Sequence, residues 1–436
     1  MGTSSHLLRW QIATLLLLFV GYSGYYLCRS NLSVATPLIL EEMAGSDSGP
    51  EYADALSRLG AIISLGTLAY TIGKFIFGVT GDHIGGRRSF LAGMSGAVLF
   101  TIVFGFGGSF PVFTLAWIGN RFVQASGWPA LVKIGSRWFD YRWHGTAMAI
   151  LSLSFLFGDA AARAFMGLLL AYKLGWRTVF AVTAAVLAGI LAVCFVFLRE
   201  SPESIGEAEA SASPANVYGE NAASSVGRIL LPLLRSPAFW IVCVLSLVMT
   251  LLRETFNTWI PQYFKAELHF QTDRAAMLSS GFPFLGGCST LAAGFLNDWL
   301  GRAGRSLIIL AGLMMTALSL GLLSMMGDGP PVWTAVALVL LTGFFLLGPY
   351  SYLAGAVALD FGGKKGSATA CGIIDGVGYL GAYYAGKGVA DLAKNGWSLA
   401  WTVLAAVALA GVLAAALYCV DQIRRSRVAA APGNAS

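Results

Sequence analysis

Six basic side chains lie inside long apolar stretches of this sequence: Arg29, Lys74, Arg121, Lys133, Arg163 and Arg253. An ionised group at mid-bilayer costs at least about 2.5–3.5 kcal/mol on insertion scales, so such groups face a water-filled cavity, pair internally or reach to the interface. Arg29 and Arg253 carry the sharpest chemistry. Each is followed eight positions later by a proline, Pro37 and Pro261, which marks them as equivalent positions of two related segments. A guanidinium is a planar fork that stays charged and matches phosphate or carboxylate with two parallel bonds. Two such forks facing one cavity repel until a small oxyanion enters. Glu254 adjoins Arg253, but adjacent residues point to different sides of a helix, so it is expected to be a poor partner.

Other residues extend this anion chemistry. Lys74, one helical turn before Gly78, adds a third positive charge. Tyr22, Tyr26 and Arg29 are spaced i, i+4, i+7 and share one helix face. Gln124 and Trp128 repeat the i, i+4 spacing just before Pro129, and Tyr379 is expected to do the same from the second half. Asp159 and Arg163 at i, i+4 form a candidate ion pair, and Asp375 has no partner nearby in sequence. With Glu254 and Arg121, these are candidates for charge coupling. Lys133 lies near a helix end and is expected to snorkel to the interface.

The elements that must position these groups are membrane helices. Hydrophobic residues make up 56% and charged residues 11% of the 436, against about 25% charged in soluble domains, which excludes an ordinary soluble protein. Stretches long enough to span a bilayer recur. Twelve helices are expected, at 9–37, 53–80, 88–107, 112–136, 145–171, 177–198, 237–264, 276–298, 305–326, 332–358, 366–390 and 396–420. The first reads as an uncleaved span, since no small-residue cleavage site follows it. A polar stretch rich in Glu, Ser, Ala and Pro at 200–236 divides a bundle over 1–199 from one over 237–436.

The two halves repeat each other. Gly78 to Asp82 and Gly294 to Asp298 both read Gly-x-x-x-Asp, followed by Arg87 and Arg88 in one half and by Arg302 in the other. The fifth helix of each half opens alike, at His144-Gly145-Thr146-Ala147 and Lys365-Gly366-Ser367-Ala368. These corners are expected to control conformation rather than bind substrate. Parallel six-helix repeats are a transporter architecture.

The net charge of +6 suggests no nucleic-acid partner once sorted by loop. Of 28 lysines and arginines, fifteen fall on the side of the N-terminus, seven on the other side and six inside spans, which places both termini in the cytoplasm. The six cysteines form no CxxC pair, and no metal site or cofactor is indicated. The four histidines lie at loops or helix ends, and no nucleophile–base pair points to an enzyme.

Several motifs carry a family resemblance: Gly21-Tyr22-Ser23-Gly24-Tyr25-Tyr26-Leu27-Cys28-Arg29, Gly73-Lys74-Phe75-Ile76-Phe77-Gly78, Gln124-Ala125-Ser126-Gly127-Trp128-Pro129 and Gly376-Val377-Gly378-Tyr379-Leu380-Gly381. With Gly78-Val79-Thr80-Gly81-Asp82, they resemble the major facilitator superfamily and, within it, the organophosphate:phosphate antiporters. The resemblance implies that Arg29 and Arg253 bind phosphate, that Lys74, Tyr26, Gln124, Trp128 and Tyr379 line the same cavity, and that inorganic phosphate is exchanged for an organic phosphate. Ser30, Phe155 and Glu254 depart from its pattern.

The expectation is thus an all-α membrane protein of two pseudo-symmetric six-helix bundles. It would act as a monomeric inner-membrane antiporter for a small anion, phosphate-bearing by the resemblance. Proton-coupled symport or export of another organic anion, and sensing of a phosphorylated metabolite, remain alternatives.

Overall fold

The computed structural model describes residues 5–44, 50–211, 217, 226–270, 272–326, 331–393 and 396–430. The described residues form α1 (Ser5–Leu27), α2 (Asn31–Ala44), α3 (Pro50–Ile84), α4 (Gly86–Phe106), α5 (Phe110–Gln124), α6 (Gly127–Trp138), α7 (His144–Ala171) and α8 (Trp176–Phe197). After the linker come α9 (Val226–Leu234), α10 (Pro237–Ala266), α11 (Thr272–Ser279), α12 (Gly281–Met325), α13 (Val332–Tyr352), α14 (Ala358–Ala393) and α15 (Trp397–Ala430).

Helix covers all twelve expected positions, but three spans are broken where the sequence suggested continuous helix, one of them the eighth, which changes from α11 to α12 at Ser280. The first changes from α1 to α2 at Cys28–Ser30, where the amides of Cys28 and Arg29 reach back three residues, to Tyr25 and Tyr26. The fourth changes from α5 to α6 at Ala125–Ser126, where the same three-residue pattern appears. Pro129 has no N–H to offer the Ala125 carbonyl, and a proline ring crowds the preceding turn. Elsewhere α12 turns at Gly301 and carries two of the expected helices. Nine described segments are long and apolar enough to cross a bilayer, one of them the 62-residue Val332–Ala393.

The chain divides into two compact units. The first holds residues 1–141, 151–214 and 362–372, and the second holds 142–150, 215–361 and 373–436. The first is packed on an aromatic cluster in which Phe104 stacks on Phe113 and Phe180, with ring centroids 4.7 and 4.9 Å away. The second is packed on Phe256, which stacks on Phe282 at 5.2 Å and Trp401 at 5.5 Å. Many large apolar side chains, among them Leu16, Leu115, Phe195 and Leu413, are exposed instead. So many exposed large apolar side chains suit a lipid environment.

Candidate substrate-binding sites

In the first unit, the break between α1 and α2 puts Arg29 at a helix interruption rather than mid-helix. Its Nε donates to Gln124 Oε1 at 3.0 Å, Nη1 to the Tyr26 hydroxyl at 3.1 Å and Nη2 to the Tyr70 hydroxyl at 3.1 Å. Gln124 is itself fixed. Its amide nitrogen donates to the Cys28 carbonyl at 3.0 Å and to Asn120 Oδ1, so its oxygen is the end turned to Arg29. Asn120 in turn donates to Thr101 and to the Ala97 carbonyl. A chain of buried amides thus orients one guanidinium.

Sequence reasoning missed Tyr70, which organises the cations. The guanidinium carbons of Arg29 and Arg121 lie 4.8 and 4.6 Å from its ring centroid, and Lys74 Nζ lies at 4.8 Å. A cation within about 6 Å of an aromatic face is attracted by the ring quadrupole. The i, i+4 spacing of Tyr70 and Lys74 was the available signal. Lys74 is almost fully buried.

Tyr22 and Trp128 meet each other, with centroids 5.3 Å apart, and Tyr22 also packs on Tyr25 and Tyr26. Asp159 binds Arg163 at 2.9 Å and accepts a hydrogen bond from Ser30, while Arg163 reaches Ser33 at 3.1 Å. The pair ties α7 to the first span beside Arg29.

In the second unit, Arg253 on α10 donates to the Tyr350 hydroxyl at 2.8 Å and lies 4.5 Å from that ring's centroid. The Tyr379 ring is farther, at 5.9 Å. Tyr350 follows Gly348-Pro349 at the end of α13 and was also missed. Glu254 corrects an expectation: it is ion-paired with Arg253. Adjacent Cβ atoms do diverge, but both side chains are long enough to bend back and meet. Arg253 Nε is a buried donor with no acceptor in the described chain. Asp375 is buried in the same unit.

The sequence profile of the Major Facilitator Superfamily matches residues 18–386, most of the chain. The chain belongs to the Major Facilitator Superfamily. It is therefore an integral membrane transporter rather than an enzyme. It is 27% identical over 431 residues to a probable hexose phosphate transport protein of Chlamydia muridarum, covering 93% of this chain and 90% of the relative. It is 28% identical over 400 residues to the glucose-6-phosphate exchanger SLC37A2 of Bos taurus, covering 83% and 80%. Among solved structures, the proton:xylose symporter XylE bound to 6-bromo-6-deoxy-D-glucose superposes with a TM-score of 0.71 at 15% identity, covering 93% and 95%. That likeness shows the fold.

The Gly-x-x-x-Asp corners of this superfamily member share one geometry. Asp82 accepts the backbone amides of Ala368 at 3.3 Å and Thr369 at 2.7 Å, inside the first unit. Asp298 accepts those of Gly145 at 2.9 Å and Thr146 at 2.8 Å, inside the second. Three residues after each aspartate stands a glycine with positive φ, Gly85 at 97° and Gly301 at 66°. Only glycine adopts such turns readily. Gly78 and Gly294 permit close approach. A Cβ on Gly78 would lie 2.9 Å from Gly372 Cα, and one on Gly294 would lie 2.3 Å from Ala149 Cβ.

The charges at the corners differ from expectation. Lys133 does not snorkel. It is buried and bound to Asp82 at 2.7 Å, with the Lys364 carbonyl as a second acceptor. Arg87 turns away from Asp82 and donates to the Leu198 and Phe195 carbonyls at the end of α8, while Glu200 receives the amides of Gly86 and Arg87. Arg88 is exposed and lines a cavity of about 630 Å³ with Lys364 and Lys365. In the second unit Asn297 donates to Asp298 at 2.7 Å, and Arg305 is bound to Asp360 at 2.6 Å. The side chain of Arg302 lies outside the described residues.

Proposed function

We propose that this chain is an antiporter that exchanges a small organic phosphate for inorganic phosphate across a bacterial inner membrane, with both termini in the cytoplasm. The observation that carries this reading is the hold on Arg29. Three neutral oxygen acceptors hold the fork in one orientation, and an oriented guanidinium suits recognition of a phosphate dianion. Arg253, at the matching position of the second repeat, supplies the second fork, and its unsatisfied Nε is a donor that an anion's oxygen would engage. The hexose phosphate and glucose 6-phosphate named in the relatives fit this chemistry. Lys74, Tyr22, Tyr26, Gln124, Trp128 and Tyr379 complete the proposed site. The corners Gly78–Asp82 and Gly294–Asp298, with Arg87, Arg88 and Arg302 after them, are proposed to govern alternating access.

Exchange follows from differential affinity. A ligand shifts a conformational equilibrium only by as much as it prefers one state. A substrate anion that stabilises the closing state more than the open one lets the loaded carrier cross in preference to the empty one. The test is reconstitution in liposomes preloaded with inorganic phosphate. Labelled phosphate and glucose 6-phosphate should enter only against internal phosphate. Uptake that needs a proton gradient and no internal anion would instead establish symport.

A further inference from the structure

A furrow of about 500 Å³ runs along the outer face of the first unit, between α1 and α8. Its walls are Ala13, Leu16, Leu17 and Val20 from one helix and Val193 and Phe197 from the other. Ala13, Leu17 and Val20 fall at i, i+4, i+7, and Val193 and Phe197 at i, i+4, so each set lies on one helix face. Leu16, Val20, Val193 and Phe197 are exposed.

Packing explains why the furrow opens where it does. The two helices touch at Gly24, where a Cβ would lie 3.0 Å from Ile190 Cδ1. The Cys194 thiol still reaches the Leu17 carbonyl at 3.8 Å. Nearer the N-terminus a third residue joins them from the interior. Gln11 donates to the Trp138 carbonyl at 3.0 Å, and the buried Trp138 indole donates to the Arg199 carbonyl at 3.2 Å. The small side chain of Ala13 leaves the outward side open.

One end of this apolar furrow is basic. Arg9 and Trp10 line it there, and Arg9 is exposed. No acid lies on α1, since the first of the chain is Glu41. Glu207, which comes to the start of α1, is 3.3 Å from His6. At the matching end of α8, Arg199 is exposed two residues past Phe197, and Glu200 is engaged by the amides of Gly86 and Arg87. Length then decides what fits. From Arg9 to Val20 is eleven residues, about 16 Å at 1.5 Å per residue. One leaflet of a bilayer core is about 15 Å deep. A molecule with an anionic head at Arg9 and a hydrocarbon chain reaching Val20 therefore spans one leaflet, with Trp10 at the headgroup level where tryptophans concentrate.

We propose that this furrow binds an anionic phospholipid, its headgroup phosphate on Arg9 and one acyl chain between α1 and α8. A free phosphate would engage Arg9 and leave the furrow unfilled. A zwitterionic lipid fills the furrow but gains less from the basic end. The site is independent of which anion the protein carries.

The full chain, stripped of lipid in detergent, is titrated with dioleoyl phosphatidylglycerol or dioleoyl phosphatidylcholine, and native mass spectrometry measures the first lipid bound. Phosphatidylglycerol should bind about fivefold more tightly, as one basic residue at a membrane surface gives. Arg9→Gln should bring that ratio close to one. Ala13→Phe should plug the furrow and weaken both lipids by about fourfold, the loss of one buried methylene. Ala13→Leu, a smaller plug, should do so in part and serves if the phenylalanine variant does not fold. Millimolar inorganic phosphate should displace neither lipid. A wild-type ratio near one, or a ratio that Arg9→Gln leaves unchanged, overturns the proposal. Unchanged lipid affinity in the Ala13 variants also overturns it, because the lipid then sits elsewhere on the surface. Displacement by phosphate would make Arg9 a site for a free anion and overturns it as well.

Discussion

The two units carry the same plan with different described partners on its charged groups. In the first, the site arginine is held by neutral groups, Gln124, Tyr26 and Tyr70, while the corner aspartate Asp82 has a buried cation, Lys133. In the second, the site arginine Arg253 is paired with Glu254, while the corner aspartate Asp298 is supported by a neutral amide from Asn297. Backbone geometry is therefore what the repeat preserves: a carboxylate on two amides, and a positive-φ glycine three residues later. Counter-charges are free to diverge, because they need only local satisfaction.

The corners give the largest expected contrast. Asp82→Asn leaves Lys133 buried without its counter-charge and should lower stability by about 3 kcal/mol. Asp298→Asn keeps one acceptor oxygen and loses one of the two backbone hydrogen bonds, from Gly145 or Thr146, worth about 1 kcal/mol. Thermal unfolding in detergent compares them, and equal losses would break the comparison.

The arginines come next. Lysine cannot reproduce the fork, so Arg29→Lys should reduce phosphate exchange about 100-fold, the loss of a charged hydrogen-bond pair. Arg253→Lys should cost only about tenfold, because Glu254 already offsets part of that charge. If both variants exchange normally, neither arginine binds the anion.

Glu254→Gln removes a partly exposed competitor for Arg253. It should tighten phosphate binding by up to about fivefold, the ceiling for such a pair. Titration by tryptophan fluorescence measures it, and weaker binding would mean that the glutamate positions Arg253 rather than opposing it.

The smallest effect concerns the linker. Burial raises the Glu209 carboxyl, but hydrogen bonds from Lys364 and Arg137 outweigh this and hold it below the ordinary glutamate range. A depressed pKa adds stability that is present above the unfolded value and fades as pH falls through the folded one. Glu209→Gln should therefore lower the melting temperature at pH 7 by under about 3 °C, and the difference should vanish in acid. A difference that persists there would assign it to packing.

Sequence alone determined the class and the repeat. Apolar runs of bilayer length leave no soluble alternative, and a buried charge is costly enough to stand out wherever it occurs. Arg29, Arg253 and Lys74 stood out on that ground, Gln124 by its i, i+4 spacing with Trp128, and both corner aspartates by the repeated Gly-x-x-x-Asp. Tertiary structure decided who meets whom. Tyr70 and Tyr350 gave no signal alone, since a tyrosine in a membrane helix has several uses and its hydroxyl chooses a partner only after packing. Lys133 looked able to snorkel because helix position gives depth but not direction. Glu254 looked like a poor partner because Cβ vectors do not limit where two long side chains end. The helix breaks at Cys28–Ser30 and Ala125–Ser126 were hidden for a related reason: apolar composition marks a span, whereas a shift to three-residue hydrogen bonding is settled by the chain packed beside it.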